Sequence, residues 1–164
     1  MRNNKNFKTA DLCDDHSDNL IILDQNFKSY GKTNSFYGEI QTVKCLNDNS
    51  KVRELVNKDG LNKVLVVDGA ASKDCALLGD MLAEAASKNN WSGIIVNGCI
   101  RDSDVIANID LGVFALTTIP VKSVKKNIGE INVEVKFMGV NFKPGDYIYA
   151  DEDGIVVTKE KLKF

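Results

Sequence analysis

Between Lys63 and Leu116 the chain repeats one alternation, and this narrows the possible architectures more than any other feature. Lys63-Val64-Leu65-Val66-Val67 and Gly93-Ile94-Ile95-Val96 are short, uninterrupted apolar runs, the pattern of strands covered on both faces. Gly79 to Asn89 and Ser103 to Asn108 have helical spacing, and Leu111 to Leu116 supplies a third strand. Strand, helix, strand, helix, strand implies parallel strands joined by right-handed crossovers. Ligands of such sheets bind beyond the carboxyl ends of the strands.

The flanks read differently. Thr9-Ala10-Asp11-Leu12-Cys13-Asp14-Asp15 predicts a short helix capped by Thr9, with early acids where the helix dipole favours them. Phe36 to Cys45 alternates apolar and polar residues like a half-buried strand, and Lys51 to Asn57 is helical, ending near Gly60. After Pro120, the segments Ile131 to Phe137, Tyr147 to Ala150 and Ile155 to Thr158 are strands, the last three elements punctuated by Pro144-Gly145-Asp146 and Asp151-Glu152-Asp153-Gly154 turns. The expected fold is a layered α/β domain with a parallel central βαβαβ segment and antiparallel C-terminal strands, in two sheets or one mixed sheet. Pro120 and Pro144 are the only prolines and no repeat or low-complexity segment occurs, so one domain is expected over 1–164.

Several function classes are disfavoured. The 21 basic residues are dispersed among 23 acidic ones, giving a formal charge of -2 and no electrostatic footprint for nucleic acid or anionic lipid. Met1-Arg2-Asn3-Asn4-Lys5-Asn6 runs into polar residues, and no apolar run approaches the ~20 residues of a membrane helix, so a cytoplasmic location is expected. Cys13, Cys45, Cys75 and Cys99 lie far apart without a Cys-x-x-Cys pair and read as small buried hydrophobes. Neither Gly-x-Gly-x-x-Gly nor a phosphate-loop lysine motif is present. His16 lies among polar neighbours of the first helix, Lys73 reads as a solvated lysine in a polar loop, and Trp91 reads as core or surface filler.

The chemistry concentrates in two loops that each follow a strand and open a helix. The first, Asp68 to Leu82, ends in Gly79-Asp80, where the free N–H groups of Gly79, Asp80, Met81 and Leu82 would cradle a carboxylate. The second, Asn97 to Ser103, sets Arg101 beside Asp102: a guanidinium that can grip a carboxylate and an oxygen donor that can hold a hard cation. A 2-keto acid chelates a metal through carboxylate and keto oxygens, so one protein carboxylate plus water suffices for Mg²⁺ or Mn²⁺. The same residues also read as two helix caps, Asp80 and Asp102, with Arg101 paired to a neighbouring acid.

Val66-Val67-Asp68-Gly69, Ala76-Leu77-Leu78-Gly79-Asp80-Met81-Leu82-Ala83 and Asn97-Gly98-Cys99-Ile100-Arg101-Asp102 resemble the regulator of ribonuclease activity A family, which includes 4-hydroxy-4-methyl-2-oxoglutarate aldolases. The resemblance runs from Thr9-Ala10-Asp11-Leu12-Cys13-Asp14 to Gly154-Ile155. One motif separates the family's branches: an aspartate, twenty residues of any kind, then Arg-Asp, which Asp80, residues 81–100 and Arg101-Asp102 satisfy. The resemblance implies a swivelling β/β/α fold, a homotrimer with sites near subunit boundaries, and cleavage of 4-hydroxy-4-methyl-2-oxoglutarate to two pyruvates with decarboxylation of oxaloacetate. It implies substrate on the backbone of Gly79, Asp80, Met81 and Leu82 and on the Arg101 side chain, and the metal on Asp102. Asp80 is the candidate for taking the substrate's hydroxyl proton. The alternative is a protein-binding regulator that inhibits ribonuclease E. Gly69-Ala70-Ala71 departs from the consecutive glycines of many relatives, with an expected effect on loop width or substrate access. Members have also been labelled menaquinone methyltransferases, but no glycine-rich cofactor loop supports that here.

Overall fold

The computed structural model describes residues 6–24 and 26–164, so all but the last residue of the polar N-terminal hexapeptide lies outside the described residues. In chain order the elements are α1 (Thr9–His16), β1 (Leu20–Ile22), β2 (Lys28–Ser29), β3 (Phe36–Lys44), α2 (Ser50–Val56), β4 (Val64–Asp68), β5 (Ala76–Leu78), α3 (Asp80–Lys88), β6 (Gly93–Ile100), α4 (Ser103–Ile106) and β7 (Gly112–Thr118). There follow β8 (Glu130–Ile131), β9 (Val135–Phe137), β10 (Val140–Phe142), β11 (Tyr147–Ala150) and β12 (Ile155–Thr158).

One mixed sheet runs β1-β12-β11-β3-β4-β6-β7-β2, with β5 beside β6 and β8 beside β3; β9 and β10 form a separate hairpin. The strands β3, β4, β6 and β7 are parallel, as the crossover order requires. β3 joins the two halves: Ile40–Lys44 pair in parallel with β4, while Phe36–Glu39 pair antiparallel with β11.

Alternation along the strands sorts the core into two layers. Leu65 and Val67, Ile94 and Val96, and Val113 and Ala115 point to one face, where they meet Val52 and Leu55 of α2, Ala83 and Ala86 of α3, and Ile106 of α4. Val64, Val66, Ile95 and Phe114 point to the other, against Val135, Phe137, Val140 and Phe142 of the hairpin and Ile148, Ile155 and Val157. Both faces of β4 and β6 are therefore covered, which is why those strands read as unbroken apolar runs, and the layering is β/β/α. Trp91 belongs to the core on the helical side, its indole N–H donating to the Lys58 carbonyl. Cys45, Cys75 and Cys99 are buried, Cys13 is half-buried, and all four are free thiols.

The structure corrects several local expectations. Thr9 does not cap α1: Lys8 holds that position, and the Thr9 amide and hydroxyl both donate to the Asp151 carboxylate, at 2.7 and 2.6 Å. An external acid at the β11–β12 turn thus replaces self-capping. The segment Ile131 to Phe137 is not one strand, because Asn132 adopts φ 58° and breaks the extended run into β8 on β3 and β9 on β10. Asn97–Ile100, expected as loop, continue β6, and the expected loop 68–82 contains the strand β5.

Candidate active site

β5 lies parallel to the far half of β6, with Ala76 opposite Cys99 and Leu78 opposite Ile100, and the Arg101 amide donates to the Leu78 carbonyl at 2.9 Å. Two neighbouring strands therefore end together, and the residues that follow, Gly79 and Arg101, leave the sheet side by side at its carboxyl edge. This is where a doubly covered parallel sheet presents its ligand site.

Gly79 caps α3 in an extended conformation (φ -127°, ψ -173°), and Asp102 caps α4 in the left-handed region (φ 56°, ψ 39°). Neither Asp80 nor Asp102 acts as the side-chain cap expected of it. Asp80 is the first residue within α3, and its Oδ1 accepts from the Met81 amide at 2.8 Å. Asp102 turns away from α4: its Oδ2 accepts from the Asp80 amide at 3.3 Å and lies 3.7 Å from Nε of Arg101. Its carbonyl still receives the Val105 and Ile106 amides, so α4 starts normally without the carboxylate. Holding an aspartate in this backbone region costs on the order of 1 kcal/mol, and its effect here is to swing the carboxylate across the cleft onto the start of α3.

The structure brings Gly79, Asp80, Arg101 and Asp102 together. Gly79 is essential to the packing: a Cβ there would lie 2.9 Å from Asp102 Oδ2 and 3.5 Å from both Cγ and Nε of Arg101. The expected cradle of free amides is partly filled. Asp80's amide is taken by Asp102 and Met81's by Asp80, whereas the Ala83 amide donates to the Gly79 carbonyl within the helix. The Met81 side chain is 80% exposed, while Leu82 packs against the core and orients the first turn. Arg101 and Asp102 side chains are 40% and 37% exposed, so their pairing contributes little to stability and leaves both open to a ligand.

Beneath them, two residues that sequence reasoning passed over fix the first loop. Asp68 and Asn97 are opposite each other on β4 and β6, and Asp68 Oδ1 accepts from both Asn97 Nδ2 and the Ala70 amide at 3.0 Å. The Asn97 carbonyl receives the Gly69 and Ala71 amides in turn. The available signal was that each polar residue ends an apolar run on what must be adjacent strands. Ala70 and Ala71 have φ 55° and 56°, the conformation that glycines adopt freely, and both alanines are exposed, at a backbone cost of roughly 1–2 kcal/mol per residue.

Other candidates lie elsewhere. His16 lines a cavity of about 750 Å³ with Leu20, Lys143 and Lys159, which shares no residue with the Gly79–Asp102 cluster. Lys73 is exposed on the first loop. Among the described residues no three His, Cys, Asp or Glu side chains converge as a ready-made metal centre, and no helix is long and apolar enough to cross a membrane. A cation at this site would rest on Asp102 and on oxygens brought by its ligand. The donor chemistry suits that: a hard carboxylate beside a cradle that a Cβ would fill.

Comparison with known proteins agrees with this architecture. The model of the RraA-like family, described as Aldolase/RraA, matches residues 9–157. A protein of Pseudomonas aeruginosa (strain UCBPP-PA14), provisionally named 4-hydroxy-4-methyl-2-oxoglutarate aldolase, is 54% identical over 157 residues, 96% of this chain and 97% of its own. One of Acinetobacter baylyi with the same provisional name is 54% identical over 162 residues, 95% of each chain. Among solved structures, one from Geobacillus kaustophilus described as S-adenosylmethionine:2-dimethylmenaquinone methyltransferase superposes with TM-score 0.93 at 46% identity, covering 95% of this chain and 97% of that one. The RNA-processing inhibitor RraA of Thermus thermophilis superposes with TM-score 0.93 at 36% identity, covering 97% and 96%. By the extent of the family match and the identity of these relatives, the chain belongs to the RraA-like (Aldolase/RraA) family.

Proposed function

We propose that this chain is a divalent-metal-dependent carbon–carbon lyase that cleaves 4-hydroxy-4-methyl-2-oxoglutarate into two pyruvates, with oxaloacetate decarboxylation as a side activity. The observation that carries the reading is the convergence of Arg101, Asp102 and Asp80 on the glycine that opens α3. The provisional names of relatives at 54% identity supply the substrate. No dinucleotide-type glycine loop accompanies the site, so a methyltransferase reading has no support among these residues.

In this reading Asp102 holds Mg²⁺ or Mn²⁺, which when bound supplies Lewis-acid polarisation of the substrate's keto oxygen. The chain's own groups do the rest. The guanidinium of Arg101 orients the carboxylate of the keto-acid end, and the Asp80 and Met81 amides join it by exchanging their bonds to the Asp102 and Asp80 carboxylates for the substrate. Asp80 Oδ2, which has no hydrogen-bond partner among the described residues, takes the proton of the C4 hydroxyl through an ordered water. The C3–C4 bond breaks, the C4 oxygen becomes the keto group of one pyruvate, and the electron pair passes through C3 to the C2 oxygen. Arg101 meets the charge that develops there, and protonation at C3 completes the second pyruvate. Decarboxylation of oxaloacetate delivers the same electron pair without a hydroxyl proton to remove.

The assembly proposed is a cytoplasmic homotrimer with sites near its subunit boundaries, as the family resemblance implies, and Met81, 80% exposed beside the site, is a candidate contact residue. A coupled assay of pyruvate release, with and without EDTA, tests the function. Activity is expected to require Mg²⁺ or Mn²⁺ and to fall about a hundredfold or more in Arg101→Ala; full turnover in EDTA refutes it.

A second reading, inhibition of a ribonuclease by protein contact, is favoured by the 36% identity to the RNA-processing inhibitor RraA across nearly the whole chain. Its test is ribonuclease binding by an Arg101→Ala variant that has lost lyase activity. No binding at about micromolar concentration refutes this reading.

A further inference from the structure

Away from Gly79 and Asp102, α2 and the segment 125–127 border an open cleft of about 600 Å³, whose lining includes Arg53, Glu54, Asn57, Lys125, Lys126 and Asn127. Its charge opposes that of the chain. The whole sequence is formally -2, yet here Lys51, Arg53, Lys58, Lys125 and Lys126 outnumber two acids, the lining Glu54 and the buried Asp48 behind it. Lys51 and Lys58 approach Glu54 to 3.5 and 3.1 Å and neutralise it. Arg53, Lys125 and Lys126 have no carboxylate partner among the described residues.

The cleft's two walls are fastened to each other. The buried Asp48 carboxylate accepts the Ser50 amide and hydroxyl from one wall and the Lys126 and Ile128 amides from the other. Buried Asn49 and Ser123 exchange two hydrogen bonds of 2.9 Å, and Lys51 Nζ donates to Asn127 Oδ1 at 3.1 Å. Backbone that would otherwise have to be ordered by a ligand is already fixed, so the unpaired cations sit on a preorganised frame. Cations that line one cleft repel one another, and an anion relieves that repulsion.

We propose that this cleft is a binding site for a small multivalent anion, of the phosphate or polycarboxylate type, gripped by the Arg53 guanidinium and the Lys125 and Lys126 ammonium groups. Arg53 provides two parallel donors and the lysines provide point charges.

Isothermal titration calorimetry of the full chain at low ionic strength, with inorganic pyrophosphate and separately with citrate, tests the site and distinguishes the two chemistries. Saturable binding with a Kd below about 1 mM is expected for at least one of them. The affinity should fall roughly tenfold or more in Arg53→Gln and in Lys126→Gln. It should persist in Arg101→Gln, which removes the guanidinium of the keto-acid site. Arg53 and Lys126 are exposed, and matching melting temperatures check that both variants fold. No saturation with either anion by about 5 mM, unchanged affinity in either cleft variant, or loss of binding in Arg101→Gln overturns the proposal.

Discussion

Replacing Gly79 by alanine adds one methyl group where the structure has space for none. The new Cβ would lie 2.9 Å from Asp102 Oδ2, closer than real Cβ contacts come, and 3.5 Å from Cγ and Nε of Arg101. The backbone at Gly79 is extended, φ -127° and ψ -173°, so alanine fits it without strain and the whole effect falls on the Asp102 carboxylate. That group must give up its 3.3 Å hydrogen bond from the Asp80 amide. Charge-assisted bonds contribute about 1.5–3 kcal/mol, and the length and partial exposure of this one reduce the loss to about 1 kcal/mol, a fall in Tm of roughly 2–4 °C. The functional loss is expected to be larger. On the proposed role of Asp102 as metal ligand, displacing its carboxylate by about 1 Å costs on the order of a hundredfold in kcat/KM. Pyruvate release measured across a Mg²⁺ titration, beside a thermal melt, separates the two effects. A Gly79→Ala protein with unchanged kcat/KM and unchanged metal dependence would refute the reasoning that this glycine makes room for Asp102.

Asp80→Asn should reduce cleavage of 4-hydroxy-4-methyl-2-oxoglutarate by about a hundredfold while sparing oxaloacetate decarboxylation, which has no hydroxyl proton to move; equal losses in the two assays would remove Asp80 from proton transfer. Asp102→Ala should abolish the Mg²⁺ or Mn²⁺ dependence together with turnover, and a variant still stimulated by either cation would place the metal elsewhere. Asp48 supplies a pH test. Burial pushes its carboxyl up, but hydrogen bonds from the Ser50 hydroxyl and amide and from the Lys126 and Ile128 amides outweigh that and hold it at about 2. Because the folded value lies below the ordinary 3.8, the stabilisation is present above pH 3.8 and is lost as pH falls toward 2. Asp48→Asn should therefore lower stability at neutral pH by on the order of 1 kcal/mol and flatten the acid limb of a denaturation profile in that window; an unchanged limb would contradict it.

The helical and buried-strand order around the site was legible because both faces of β4 and β6 are covered, which leaves unbroken apolar runs that no surface strand has. β5 carried no such signal. Ala76-Leu77-Leu78 becomes a strand only because the far half of β6 offers it a partner. The same holds for the two-residue strands β2 and β8, specified by their neighbours on β7 and β3. The β9–β10 hairpin turns through Met138 and Gly139 at φ 50° and 73°, and a methionine in that conformation gives no turn cue. Within the candidate site, residue types and spacing pointed to Gly79, Asp80, Arg101 and Asp102. What could not be read was the direction of Asp102, which follows from a left-handed backbone at a single aspartate, nor the clamp made by Asp68 and Asn97, which exists only once β4 and β6 are aligned.

The arrangement of β5 and β6 also decides which parts of this chain are free to vary. Gly79 and Arg101 take their positions from the pairing of Leu78 with Ile100 and from the bond between the Arg101 amide and the Leu78 carbonyl. The stretch from Ala70 to Asp74 is mostly exposed and is held separately, by the Asp68–Asn97 clamp and by bonds of Ser72 and Asp74 to Asn47. Exchanges within this stretch would then leave Gly79 and Arg101 in register, because neither takes its position from it. The strand ends that hold the candidate site and the exposed stretch before β5 are thus separable pieces of one sheet edge, and exchanging residues 70–74 for those of relatives alters one without disturbing the other.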